Sequence, residues 1–283
     1  MTEKMEEERT SRIIGRFLGG LSSTIRRFLF RIMSSGPIPQ HIAFIMDGNR
    51  RFAKKWKLEE GAGHKAGFLA LMSVLKYCYE IGVKYVTVYA FSLDNFNRRP
   101  DEVQYVMDLM HEKIEGFLKE LDMVNRYGIR VLFIGDLNRL NDPVRVAAEK
   151  AMEATAMNSK TYLLVCVAYT SSHEIPRAIY EACEERNRRN VGEVEEEEEE
   201  AEEVIKVGDL EKKMYMGVVP DPDILVRSSG ETRLSNFLLW QTSNSLLYSP
   251  TALWPEMGLR HVVWTVLKYQ KNYPYLEKKK KQA

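Results

Sequence analysis

A chain of 283 residues, with 41 Lys and Arg against 40 Asp and Glu, can bury a substantial core and carries no overall basic field for nucleic acid. Its cysteines, Cys78, Cys166 and Cys183, are odd in number and lack C-x-x-C spacing, which argues against a disulfide framework or a zinc site and fits reduced thiols. No run reaches the ~18 apolar residues of a spanning helix, and the early acids Glu3, Glu6, Glu7 and Glu8 are wrong for a secretory signal.

Residues 11–33 interleave Ile13, Ile14, Phe17, Leu18, Leu21, Ile25, Phe28, Leu29 and Ile32 with Arg12, Arg16, Arg26, Arg27 and Arg31. That is the composition of an interfacial amphipathic helix, the alternative being a helix docked on the protein's own body. Gly36-Pro37 and Pro39 break the chain and open the main domain. The apolar run 42–46 reads as a buried strand, stopped by the turn dipeptide Asp47-Gly48. Helical spacing follows over 64–79, and a β-rich run over 85–91. A long amphipathic helix is expected over 102–126, ended by Gly128, then a strand at 129–134, a helix at 143–157 and a strand at 162–168. Ser171 and Ser172 cap a helix that carries Pro176 in its first turn. A short strand at 223–227 leads through a polar loop to a helix near 236–241, and a last helix spans roughly 259–269. Strands alternating with helices predict an α/β fold, a mostly parallel central sheet flanked by helices. The organisation is an N-terminal basic segment 1–36, a main domain 37–275 with an insertion at 190–207, and a basic tail 276–283. The insertion holds the acidic run 193–203, which reads as solvated.

Polar clusters recur at or just past predicted strand ends, where open parallel sheets bind ligands. Asp47, Gly48, Asn49, Arg50 and Arg51 join a carboxylate to guanidiniums, and Asp47 can hold one Mg²⁺ if a substrate phosphate supplies further oxygens. A turn aspartate beside a solvated arginine pair is the alternative. Gly61-Ala62-Gly63-His64-Lys65-Ala66-Gly67 puts glycines before a helix start, a setting for an anion. Ser92, Asn95, Phe96, Arg98 and Arg99 follow the second strand. Arg227, Arg233 and Ser235 sit in 227–236, where each guanidinium can fork onto a phosphate. A cluster with a carboxylate and one without suggest two anionic ligands, only one needing a metal. No G-x-x-x-x-G-K-[ST] loop, second metalloprotease histidine or G-x-S-x-G elbow is present. His41, His111 and His261 stand alone and read as structural or exposed.

These motifs, with Tyr89-Ala90-Phe91-Ser92-Leu93-Asp94-Asn95-Phe96 and the run from Arg227 through Trp240-Gln241, resemble the cis-prenyltransferases from about residue 37 to 275. Trp254-Pro255-Glu256 and Leu259-Arg260-His261 bring the wording close to plant enzymes of dolichol and rubber synthesis. The resemblance implies the family's fold with an apolar tunnel, lined by helices at 67–79 and 102–121. It implies Mg²⁺-dependent condensation of isopentenyl diphosphate onto an allylic diphosphate such as farnesyl diphosphate, with cis stereochemistry. By resemblance Asp47 coordinates Mg²⁺, and Asn49, Arg50, Arg51 and His64 grip the allylic diphosphate. Ser92, Asn95 and Arg98 position the reacting ends, while Arg227, Arg233 and Ser235 hold isopentenyl diphosphate. The D-D-x-x-D pairs of trans-prenyltransferases are absent.

The sequence departs from bacterial members at Glu60, where they carry an arginine, and at Leu246, where they carry a Mg²⁺-holding glutamate. It also lacks the C-terminal Arg-x-Gly motif that reaches a neighbouring site. These departures resemble a eukaryotic catalytic subunit that borrows Arg-x-Gly from an accessory subunit of the same fold. The expected setting is peripheral, at the cytosolic face of the endoplasmic reticulum or a rubber-particle surface. The rival is a non-catalytic accessory or scaffold subunit, but such members lose the aspartate and arginine clusters kept here.

Overall fold

The computed structural model describes residues 23–59, 61–192 and 205–282. Much of the N-terminal basic segment, Glu60 and the acidic run lie outside the described residues. The elements are α1 (Ser23–Met33), β1 (His41–Ile45), α2 (Asn49–Trp56), α3 (Ala62–Ile81), β2 (Tyr85–Ser92), α4 (Pro100–Lys119), α5 (Leu121–Tyr127), β3 (Ile129–Ile134), α6 (Asp142–Ala154), β4 (Thr161–Tyr169), α7 (Ser171–Gly192), α8 (Val207–Lys213), β5 (Ile224–Arg227), β6 (Leu246–Tyr248) and α9 (Leu259–Lys280).

The strands form one parallel sheet in the order β3-β4-β2-β1-β5-β6. β1, the central apolar run, is buried along its length and lies between β2 and β5, with Ile45 opposite Tyr89 and Arg227. The carboxyl ends of β1, β2 and β5 therefore emerge side by side, and each delivers one of the polar clusters. Alternation splits the core between two faces. Ile42, Phe44, Val86, Val88, Ile224 and Val226 pack with α1, α3 and α9 on one face. Ala43, Ile45, Leu164, Cys166 and Leu225 pack with Phe237 and Leu238 on the other. A third cluster joins β3 and β4 to α4 and α6 through Val131, Phe133, Val167, Met107, Ile114 and Val144. The thiols of Cys78, Cys166 and Cys183 are free, and no described helix is long and apolar enough to cross a membrane.

Several expectations are corrected. The single helix 102–126 is two, because Glu120 (φ −105°, ψ 19°) ends α4 and its N–H turns back to the carbonyl of Phe117. The helix near 236–241 is absent: Ser235, Asn236 and Leu238 take positive φ and the segment is a string of turns. The last helix runs to Lys280, through Pro274, because Lys279 and Lys280 dock on Ser243 O and on Asp223 Oδ1 (2.7 and 2.8 Å). α2, α8 and the three-residue β6 escape the sequence pattern, being short and mostly polar or half-exposed.

Candidate active site

Asp47 leaves β1 pinned by its backbone. Its N–H donates to Ser228 Oγ (2.9 Å), that hydroxyl donates back to Asp47 O (2.7 Å), and Trp254 N–H donates to the same carbonyl (2.9 Å). Gly48 then takes φ 106°, where a Cβ would stand 2.9 Å from Leu253 Cδ2, so only glycine makes this turn freely. The turn starts α2 with Asn49, Arg50 and Arg51 in its first turn. The exits of β1 and β5 are joined through charge. Asp47 Oδ2 accepts from Arg227 Nη2 at 2.8 Å and Oδ1 from Arg51 Nη2 at 3.1 Å. Burial works to raise the Asp47 pKa, but the bonds from Arg227 and Arg51 prevail and hold it below the ordinary carboxylate value.

Arg227 is buried, and its Nη1 donates to Ser235 Oγ (2.6 Å) and to Arg233 O (2.5 Å). Arg51 donates to Ser229 Oγ (2.7 Å) and stands 3.7 Å from Glu231 Oε1, whose other oxygen accepts from Arg233 Nη1 (2.6 Å). Three guanidiniums are thus interleaved with two carboxylates, leaving a net positive charge for an anion.

The exit of β2 builds the facing wall. Ser92 Oγ accepts from Asp94 N–H (3.1 Å) and Asn95 Oδ1 from Ser92 N–H (3.0 Å), closing a short helical turn, Leu93–Asn97, that leads to Arg98. Arg98 Nη1 donates to Glu102 Oε1 (2.8 Å), and Arg50 Nη1 approaches Glu102 Oε2 at 3.5 Å. His64, near the start of α3, faces the Tyr105 ring (centroids 6.5 Å apart). Burial, and then the charge of Arg98, lower its pKa against the opposing pull of Glu102.

The glycines before α3 serve packing as well as any anion. A Cβ on Gly63 would stand 2.0 Å from Asn49 O, and one on Gly67 2.3 Å from Asn49 Oδ1. Their absence of side chains lets α2 and α3 cross in contact, and Trp254 Nε1 donates to Gly67 O (2.9 Å) beneath the crossing.

All of the expected site residues line one cavity of about 1700 Å³. From the polar mouth it runs between α3 and α4 on one side and β2, β3 and β4 on the other. Its walls are Phe68, Leu71 and Leu75, Val106, Met110 and Phe117, and Val88, Val131 and Val165, and it reaches Tyr79, Tyr127 and Tyr162 near the amino ends of the strands. That path follows the helix from His64 to Tyr79, roughly 22 Å at 1.5 Å per residue. Sequence reading missed Glu102 and Glu231, the acids that space the arginines; an acid four residues beyond Arg98 on a helix was the available signal. His41 is buried between Pro220 O (2.6 Å) and Thr87 Oγ1 (2.7 Å), and His261 Nδ1 accepts from Gly258 N–H (3.1 Å), both structural.

Among the described residues no three His, Cys, Asp or Glu gather as a metal cage. Asp47 at the mouth fits a hard cation that takes most of its oxygens from bound phosphates and water, the usual manner of Mg²⁺. Leu246, in β6, offers no donor.

Residues 45–275 match the prenyltransferase family model described as putative undecaprenyl diphosphate synthase. Dehydrodolichyl diphosphate synthase 6 of Arabidopsis thaliana is 57% identical over 268 residues, 91% of either chain. Rubber cis-polyprenyltransferase HRT2 of Hevea brasiliensis is 55% identical over 268 residues, 92% of this chain and 94% of the relative. The human dehydrodolichyl diphosphate synthase complex subunit DHDDS is 40% identical over 261 residues, 92% of this chain and 75% of its own. A solved structure of lavandulyl diphosphate synthase from Lavandula x intermedia, in complex with dimethylallyl diphosphate, superposes with a TM-score of 0.73 at 28% identity, over 82% of this chain and 95% of the other. With the family model covering most of the chain and relatives above half identity along nearly its full length, the protein belongs to the cis-prenyltransferases.

Proposed function

We propose that this chain condenses isopentenyl diphosphate onto an allylic diphosphate such as farnesyl diphosphate, building a long cis-polyprenyl diphosphate of the kind that leads to dolichol or natural rubber. The observation that carries this reading is two cationic clusters at the mouth of one long apolar cavity. Two diphosphates fixed side by side supply proximity and orientation, and the cavity takes the hydrocarbon.

Asn49, Arg50, Arg51 and His64 bind the allylic diphosphate, and Arg227, Arg233 and Ser235 hold the isopentenyl diphosphate. The allylic C–O bond breaks with its electron pair leaving on diphosphate, the isopentenyl alkene bonds to the freed carbon, and a proton is lost to a diphosphate oxygen. Ser92, Asn95 and Arg98 orient the reacting ends, and the arginines stabilise the charge that develops on the leaving group. Asp47, with the diphosphate oxygens, would hold Mg²⁺, which supplies Lewis-acid stabilisation of the departing diphosphate. The rival scaffold reading leaves the retained Asp47 and both arginine clusters without a purpose.

A heteromer is part of the proposal, supported by similarity to a protein named as a complex subunit. The partner would carry the same fold and an Arg-x-Gly motif. The domain plan, 37–275 as the catalytic unit with a peripheral N-terminal segment, is likewise proposed. α1 buries Phe30 and Met33 against the body yet presents Ile25, Phe28 and Ile32 to solvent beside exposed Arg27 and Arg31. This face suits an anionic bilayer and supports, as part of the proposal, a peripheral setting at the cytosolic face of the endoplasmic reticulum or at a rubber-particle surface.

The test is incorporation of labelled isopentenyl diphosphate onto farnesyl diphosphate with Mg²⁺, by the chain alone and with an Arg-x-Gly partner. Long apolar product only with the partner supports the proposal in full; product from the chain alone removes the partner. Absence of product in both overturns the catalytic reading. Unchanged vesicle sedimentation after Ile25→Ser with Phe28→Ser removes the membrane assignment.

A further inference from the structure

The loop that carries the second anion site is held in a conformation that side chains resist. Ser235, Asn236 and Leu238 have φ of 48°, 59° and 48°, in the left-handed region, beginning two residues after Arg233. Such a backbone persists only where its surroundings over-determine it. Here the surroundings are the first turn of α7, on a different stretch of chain.

The contact is reciprocal. Ser171 N–H donates to Asn236 O (2.8 Å), and Ser172 N–H donates to Asn236 Oδ1 (3.0 Å). Asn236 Nδ2 donates in return to Ser172 Oγ (2.7 Å), and Leu239 N–H donates to Ser171 Oγ (2.9 Å). Asn236 thus satisfies the N–H groups that open a helix, the task a cap residue performs within its own chain segment. A buried carboxylate braces the junction from behind. Glu174 Oε2 accepts from Tyr169 OH (2.5 Å) and Gln241 Nε2 (3.1 Å), and Oε1 accepts from Met216 N–H (3.0 Å). Ser235, the neighbour of Asn236, is the hydroxyl that Arg227 reaches at 2.6 Å. Wherever α7 sets Asn236, the donors of the second site follow.

We infer that Asn236 and Ser172 are positioning residues for the second diphosphate: a latch between α7 and the loop that presets Ser235, Arg227 and Arg233 before isopentenyl diphosphate arrives. The inference deepens the proposed function and rests on it. Neither residue lines the cavity itself, and the latch reaches it through Ser235, on the side of the second site, away from Asn49 and His64 of the first.

Calorimetric binding of isopentenyl diphosphate and of a non-ionising farnesyl diphosphate analogue, each with Mg²⁺, separates the two sites without turnover or a partner. Asn236→Gly allows the positive φ but removes the side chain, and Ser172→Ala removes the return hydroxyl while keeping the N–H. Each is expected to weaken isopentenyl diphosphate about tenfold, the loss of one or two net hydrogen bonds, with the farnesyl analogue within twofold and Ser172→Thr near wild type. Wild-type affinity for isopentenyl diphosphate in Asn236→Gly overturns the latch, as does equal weakening of both ligands. A wild-type chain that binds neither diphosphate, alone or with its Arg-x-Gly partner, overturns the functional reading, and the latch with it.

Discussion

Gly63→Ala tests whether the crossing of α2 and α3 sets the allylic site. The added Cβ would stand 2.0 Å from Asn49 O and 2.8 Å from Asn49 C, both backbone atoms with no rotamer to escape into. An ordinary carbon–oxygen contact is over 3 Å, so the helices must part by on the order of 1 Å, at an overpacking cost of about 1–3 kcal/mol. Asn49, Arg50 and Arg51 ride on α2 and His64 on α3, so the opening separates the groups assigned to one diphosphate. A misplacement of about 1 Å costs on the order of 100-fold in a reaction that depends on orientation. The expected result is a roughly hundredfold drop in kcat/KM for farnesyl diphosphate and a lowered Tm, with isopentenyl diphosphate affinity near wild type. Gly208→Ala, where an added Cβ meets nothing within 4 Å, serves as the control and leaves both unchanged. Activity of Gly63→Ala within threefold of wild type, at unchanged Tm, would refute the argument that the crossing positions the site.

Three further outcomes follow from the same geometry. Asp47→Ala removes the carboxylate shared by Arg227 and Arg51 and is expected to cut isopentenyl incorporation by roughly a hundredfold or more and to flatten its Mg²⁺ dependence, read by Mg²⁺ titration of the labelled assay. Val165→Phe places a ring in the cavity wall on β4 and should shorten the product without changing the first condensation, which chromatography of the extracted polyprenols will show. His41 is lowered to about 4, by burial against the opposing bond to Pro220 O. Its folded pKa lies below the unfolded value near 6.5, so its contribution is complete above that pH and is lost as pH falls toward 4. Denaturant unfolding should therefore show a loss of about 2 kcal/mol from this residue between pH 7 and 5, absent in His41→Asn.

The parallel sheet was legible because its strands are buried on both faces and read as unbroken apolar runs bounded by turn residues, as at 42–46. The candidate site was legible for a related reason: its polar clusters follow strands directly, and Asp47, Ser92 and Arg227 each stand where an apolar run stops. Interactions between distant stretches leave no such trace. Glu102 and Glu231 look like surface acids until the fold brings Arg50 and Arg51 to them. The expected helix near 236–241 failed because Phe237 and Leu238, adjacent in sequence, are both fully buried, Phe237 stacked on Tyr89 at 4.3 Å. Neighbouring residues of a surface helix point about 100° apart and seldom share that fate, whereas a left-handed turn can bury both. α2 left no periodic signal, since only Phe52 and Ala53 of its residues are buried.

The cavity walls have a consequence for how a polymer can grow. On the proposed assignment of the two sites, each condensation leaves the lengthened chain with its diphosphate in the second site, so the whole hydrocarbon must advance one unit before the next cycle. Phe68, Leu71, Leu75, Met110, Phe117, Val88 and Val165 offer no hydrogen bond that would favour one register of the tail over another. Displacing the tail by one unit exchanges one apolar contact for an equivalent one, so the sliding step is nearly level in free energy however long the chain has become. Growth proceeds as hair grows, from the root. The end of the original allylic starter is then the first part to reach Tyr79 and Tyr127 at the far end, and a bulky tag placed there should halt elongation at the cycle in which it meets that pair.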